Sequence, residues 1–220
     1  MSHRILVINP NSTVAVTEGI DRALEPLRLP GGPQFDCVTL AEGPPGIQTQ
    51  RDVDGVITPL CRLIANREQD YDAFVIACYS DPGLHSAREL TRKPVLGISE
   101  CGVLTALTLG HRFGVIAILA GSIPRHLRYL GAMGVTDRLA AELPVGLQVT
   151  ELADVQRTRE RLIATGRELV QTHGAHVVVM GCAGMAQYRR ELEDAIGVPV
   201  VEPTQAAAGM ALARVRLRGS

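Results

Sequence analysis

Two of the five cysteines stand where a thiol can do acid–base work. Cys78 ends the apolar run FVIAC (74–78) and is followed by the turn YSDPGL; Cys182 ends VVVMGC (177–182) and is followed by AGM. Both runs have the length and composition of buried strands. The residues after them predict a helix starting at Pro82 or Gly83 and another after Cys182. A helix amino terminus offers unpaired N–H groups and partial positive charge, and there a thiol pKa falls from about 8.5 toward neutrality. Two thiols on opposite sides of a small carbon acid support one kind of reaction. One thiolate takes a proton from a carbon beside a carbonyl, the other thiol returns one to the opposite face, and the stereocentre inverts. The enolate formed on the way needs donors. The candidates are the backbone N–H groups of Tyr79, Ser80, Ala183 and Gly184, the hydroxyls of Ser80 and Ser122, and Asn11. Gly181 and Gly184 let the backbone approach a ligand closely.

The remaining candidates are read more plainly. Cys37 lies on an alternating strand pattern, Cys61 on a helix pattern and Cys101 just after KPVLGIS, so these three are assigned to packing. No cysteine spacing fits a zinc site, and GCAGM fits neither a P-loop nor a dinucleotide fingerprint. No metal and no cofactor are therefore expected. Ser12 and Ser122 also fit helix caps, and Asp81 fits a cap for the helix at Pro82. Tyr79 is placed in the pocket by its neighbour alone. His85 reads as a surface or interlobe residue, and His111 and Arg112 as structural residues at the far end of a strand.

Strand-length apolar runs alternate with helical patterns along the whole chain. ILVI (5–8), FDCVTL (35–40), the run to Cys78, KPVLGIS, RFGVIAILA (112–120), GLQVTEL (146–152), AHVVVMGC and VPVVEP read as strands. Helices are expected from Ser12 or Thr13 toward Leu24, over 53–66 with Pro59 either kinking the helix or delaying its start, after each cysteine turn, from Ser122, over 155–170 and over 204–216. AEGPPGIQTQ (41–50) reads as a loop over a cleft. Continuous apolar strands between helices predict parallel sheets covered on both faces. There is also a domain-sized repeat. HRILVINPNS at 3–12 and HRFGVIAILAGS at 111–122 are offset by 108, Cys78 and Cys182 by 104, and Pro94 and Pro199 by 105. The fold class is thus α/β, with two pseudo-symmetric lobes and the active site in the cleft between them. The first lobe is expected to hold residues 1–98 and 204–220, and the second 99–203. In such sheets ligands bind at the carboxyl ends of the strands, where both cysteines fall.

Composition narrows the partners. The chain has 220 residues, 46% hydrophobic and 20% charged, with a formal net charge of -1. That balance gives no electrostatic case for nucleic acid or a membrane surface. The first apolar run is too short for a signal peptide and no run of about 18 apolar residues occurs, so reduced thiols in a cytoplasm are expected.

NPNST after the first strand, ACYSDPGL, KPVLGISE and MGCAGM together resemble the aspartate/glutamate/hydantoin racemase superfamily, and most its hydantoin and allantoin racemase branch. The resemblance covers nearly the whole chain. It implies cofactor-free 1,1-proton transfer between two α/β lobes, with Cys78 and Cys182 as the acid/base pair, Asn11 in the substrate pocket, a small-molecule carbon acid as substrate, and a homo-oligomer. Two departures bear on the substrate. Glutamate racemases place Thr-His after the second cysteine, where Ala183 and Gly184 stand here, and their D-x-S-x-G pattern is missing from the first loop. A free amino-acid substrate such as aspartate or glutamate, or decarboxylase or isomerase chemistry through an enolate or thiol adduct, is the alternative. Arylmalonate decarboxylases of the superfamily keep only the second cysteine, so the presence of both favours racemisation. A non-catalytic binding protein using the same cleft is a third reading.

Overall fold

A computed structural model describes residues 3–148, 151–152 and 154–218. Two four-stranded parallel sheets form the frame. The first has the order β2-β1-β3-β4, from Gln34–Thr39, Arg4–Asn9, Ala73–Ile76 and Val95–Gly97; the second has β6-β5-β7-β8, from Leu139–Pro144, Phe113–Ala117, Val177–Gly181 and Val200–Val201. The two orders are the same once four is added to each strand number, so the repeat seen in the sequence is a repeat of topology. The inner strands β3, β5 and β7 are buried along their whole length, and β1 is buried from Ile5 onward. That is what a parallel strand covered on both faces requires.

Period-2 alternation divides each strand between two cores. In the first lobe Ile5, Val7 and Val75 face Ile20 and Leu24 of the first helical segment and Ala207, Ala208 and Ala211 of the last helix. Leu6, Ile8, Phe74 and Ile76 face Leu60, Ile64 and Leu84 on the other side. Each such side chain contributes about 1.5–3 kcal/mol when fully buried. The second lobe repeats this: Val115, Val177 and Val179 pack with Leu130, and Ile116, Val178 and Met180 with Leu162, Leu169 and Leu192.

The helices are α1 (Val14–Ala23), α2 (Gln50–Gly55), α3 (Ile57–Arg67), α4 (Leu84–Leu90), α5 (Ile98–Leu109), α6 (Ile123–Ala132), α7 (Val155–Gln171), α8 (Arg189–Ile196) and α9 (Pro203–Arg218). α5 was not expected. It sends Ile98 and Cys101 into the first lobe's core and Val103 and Ala106 into the second's. α9 packs against α5 and lies on β3 and β4. Pro59 is the third residue of α3 and starts that helix late, where its missing N–H has no partner to lose. The strand expected at 146–152 falls partly on residues 149 and 150, outside the described residues. The strand that pairs with β5 on that side is β6, several residues earlier.

Candidate active site

The carboxyl ends of both sheets open on one cleft. Its wall includes Asn11, Cys78, Tyr79, Ser80, Ser122, Cys182, Ala183 and Gly184, the candidates for acid–base work and for contact with a substrate, together with Val16, Ile47, Ile118, Arg125 and His126. Ile47 comes from the loop 41–50, which therefore borders the cleft.

The two cysteine turns share a design. The backbone N–H of Ser80 favours the thiolate of Cys78, and that of Gly184 the thiolate of Cys182. In both, the donor lies two residues after the thiol. A Cβ at Gly184 would lie 2.9 Å from Leu152 Cδ1 and 3.6 Å from the Cys182 sulfur, so glycine leaves this donor and sulfur unobstructed.

The regular helices begin later than the sequence suggested. α4 starts at Leu84 behind Gly83, whose φ of 68° places it in the left-handed region that glycine tolerates. Cys182 is followed by a 3-10 segment, Ala183–Tyr188, before α8. Helix termini consequently do not set the thiol pKa values. Burial is the largest influence and pushes Cys78 up to about 12 and Cys182 up to about 11. The turn N–H groups oppose this, as does the Arg125 charge at Cys78. The charge of Cys182 raises Cys78 further, as expected for thiols sharing one small space.

Asp81 differs from its expected role. It does not cap α4. Its backbone has a φ of 42°, and its buried carboxylate accepts from the N–H groups of Ser99 at 2.9 Å and Glu100 at 2.8 Å, capping α5 from 18 and 19 residues away. Gly97 makes room for it, since a Cβ there would lie 2.2 Å from the Asp81 carboxyl carbon. Burial raises the Asp81 carboxyl to about 7 against the two N–H bonds that favour its anion. The Asp81 carbonyl also accepts from the Tyr129 hydroxyl at 3.0 Å, which ties the Cys78 turn to α6.

Asn11 is held by Asn9, a residue the sequence reading passed over. Asn9 Nδ2 donates to Asn11 Oδ1 at 3.0 Å, and the Asn11 N–H donates to Asn9 Oδ1 at 3.2 Å. Asn11 Oδ1 also accepts from the Thr13 N–H at 2.9 Å. With the oxygen occupied, Nδ2 is the part of Asn11 available to a cleft ligand. Thr13 is the N-cap of α1, but its hydroxyl donates to the Pro45 carbonyl and makes no cap bond. Ser122 occupies the N-cap of α6 in the same manner, its hydroxyl donating to Leu119 O at 2.7 Å.

Arg125 and His126, also missed, come from the first turn of α6. Arg125 Nε donates to Ser80 Oγ at 3.0 Å, joining the two lobes across the cleft. His126 Nδ1 is 2.5 Å from Glu142 Oε1, and the Tyr79 ring meets the His126 ring edge-on at 5.1 Å. The sequence carried one signal for Arg125: it lies three residues after Ser122, on the same helix face.

Geometry and motif agree with one family. The model described as Asp/Glu/Hydantoin racemase matches residues 5–211. The chain belongs to the Asp/Glu/hydantoin racemase family. Within that family it is 36% identical over 219 residues to the hydantoin racemase of Paenarthrobacter aurescens, a match that covers 97% of this chain and 92% of that protein. Among solved structures, the allantoin racemase from Klebsiella pneumoniae superposes with a TM-score of 0.90 at 32% identity, over 99% of this chain and 89% of the other. The allantoin racemase from Pseudomonas fluorescens gives 0.93 at 29% identity, over 98% and 92%. Among the described residues no helix is long and apolar enough to cross a membrane, and no cluster of His, Cys, Asp and Glu fits a metal ion.

Proposed function

We propose that this protein is a racemase of 5-substituted hydantoins or allantoin that works by two-thiol 1,1-proton transfer between Cys78 and Cys182. The observation that carries the reading is the presence of both sulfurs on the wall of one cleft, each at the end of the corresponding strand of a duplicated lobe. The names of the hydantoin and allantoin racemases reported above support the substrate class.

A ring carbon that bears a proton beside a carbonyl lies between the sulfurs. The thiolate on one side takes that proton and becomes a thiol, and the electron pair moves onto the carbonyl oxygen as an enolate. The thiol on the other side gives its proton to the opposite face and becomes a thiolate. The atoms balance with no further reactant, and the two sulfurs end with their roles exchanged. For the opposite enantiomer the order reverses. The Asn11 amide and the turn N–H groups stand at the cleft wall where they can serve the enolate. Ser122 has its proton committed to Leu119, so its oxygen serves a substrate as an acceptor, suited to a ring N–H.

The test uses one enantiomer of a substituted hydantoin in deuterated water. Optical rotation should fall while the product enantiomer gains α-deuterium from the start and unreacted substrate gains it more slowly. Loss of rotation without deuterium, or inert hydantoins and allantoin, refutes the proposal.

A further inference from the structure

Arg125 is the residue that the two-thiol scheme leaves unused. Only 5% of it is exposed. Taking a cation out of water costs several kcal/mol unless a partner repays it, and buried arginines are ordinarily held by carboxylates. Among the described residues Arg125 forms no ion pair, and its hydrogen bond is the single neutral one from Nε to Ser80 Oγ. Its neighbours on α6 are satisfied otherwise: His126 by Glu142, and Arg128 by Gln50 Oε1 at 2.9 Å. The guanidinium is thus anchored at one nitrogen, on the wall of a cleft it shares with both sulfurs.

We propose that Arg125 is a positioning residue for the reaction: held by Ser80, it supports the ionised sulfur of Cys78, so that the base of the first lobe is charged by a cation from the second. Its use in catalysis rests on the two-thiol reading above. The groups facing Cys78 are the Ser80 N–H, Cys182, Asp81 and Arg125, and of these Arg125 carries the positive charge. Around Arg125 itself stand Cys78, Arg128, Asp52 and Glu142. The charged group acting on Cys182 is instead Glu202, which disfavours its ionisation. Arg125 therefore favours one thiol over the other. It comes to the Cys78 turn from the other lobe, through its hydrogen bond to Ser80.

The test reads each thiol without substrate. In a C182S background, the rate at which iodoacetamide alkylates Cys78 is proportional to its thiolate fraction below the midpoint of the titration. R125Q should lower that rate about 10- to 1,000-fold at fixed pH. R125K should recover most of the loss. In a C78S background the same R125Q should leave Cys182 alkylation within about twofold. An unchanged Cys78 rate overturns the assignment, and so does an equal fall at both thiols, which marks general loosening. Should R125Q not fold, S80A removes the anchor and carries the same test, with an unchanged Cys78 rate again overturning it. Absence of racemisation together with an intact Arg125 effect counts against the proposed reaction alone; racemisation without an Arg125 effect counts against this assignment alone.

Discussion

The two cysteine turns begin alike and then diverge, and the divergence lies in how each is fastened. In the second lobe the helix after the last strand, α9, is capped by a residue at the strand end itself. Glu202 accepts from the Thr204 N–H at 3.1 Å and the Gln205 N–H at 2.7 Å. In the first lobe the corresponding helix is α5. Strand register sets Val95 opposite Phe74 and Val200 opposite Val178, so Gly97 falls where Glu202 stands in the other lobe. Glycine has no carboxylate, and Asp81 supplies it from the cysteine turn. The same helix-end requirement is met in both lobes, but only in the first does meeting it lock the cysteine turn. Further anchors from α6, Tyr129 on the Asp81 carbonyl and Arg125 on Ser80, hold that turn as well. The Cys182 turn is fastened through Tyr188, whose hydroxyl donates to Leu152 O at 3.1 Å. The chain thus holds one thiol turn by side-chain hydrogen bonds from the other lobe, and the other mainly by packing, with Ala183 in the first lobe's core.

Replacing each thiol in turn probes the likeness between the lobes most strongly. C78S and C182S should each lower kcat/KM for racemisation, read by polarimetry, about 10²- to 10⁴-fold. Each should still exchange the α-proton of one enantiomer with solvent, and the two variants should prefer opposite enantiomers. The same preference in both would mean that the sulfurs do not face each other across the substrate.

The two carboxylates probe the difference. D81N and E202Q each trade a carboxylate with two N–H bonds for an amide that can accept only one well, so each should lose about 1.5–3 kcal/mol in urea unfolding. D81N should also slow racemisation, because the Cys78 turn is freed, while E202Q should slow it far less. Equal losses of activity would erase the proposed contrast. The pH dependence has a definite sign. Asp81 stands at about 7 in the fold against an ordinary 3.8, so between these values the native state keeps a proton that the unfolded chain has released. Its contribution to stability therefore falls as pH rises from about 4 to about 7. The difference between wild type and D81N should narrow over that window and then level. A difference that widens would show the N–H bonds outweighing burial.

Much of this frame was readable in the sequence, and what escaped did so for physical reasons. The inner strands announce themselves because burial on both faces demands runs such as VVVM and FVIA. The cysteines stood out because the repeat placed them at matching turns. α5 was invisible because it buries residues toward two lobes at once, which erases the one-sided stripe by which helices are read. β6, LAAELP, is a half-buried edge strand written in good helix formers. Arg125 and His126 lay in a helix where charge ordinarily means solvent, and their partners Ser80 and Glu142 are 45 and 16 residues away. Asp81 was placed as a local cap because capping is usually local; its true partners belong to an element that had not been recognised.

The smallest change sharpens the contrast further. G97A adds one methyl group, and it lands 2.2 Å from the Asp81 carboxyl carbon and 2.4 and 2.5 Å from its oxygens. No rotation at Cβ relieves that contact, so the carboxylate must leave or the strand end must shift, at about 1–3 kcal/mol. The informative quantity is the double variant. If the glycine exists to admit Asp81, then G97A in a D81N background should cost clearly less than the two single losses together, since the second substitution acts on a contact already weakened. Strict additivity in urea unfolding would mean that Gly97 serves the strand alone. The link between the Cys78 turn and α5 would then have to be carried by the two N–H bonds without any help from the missing side chain.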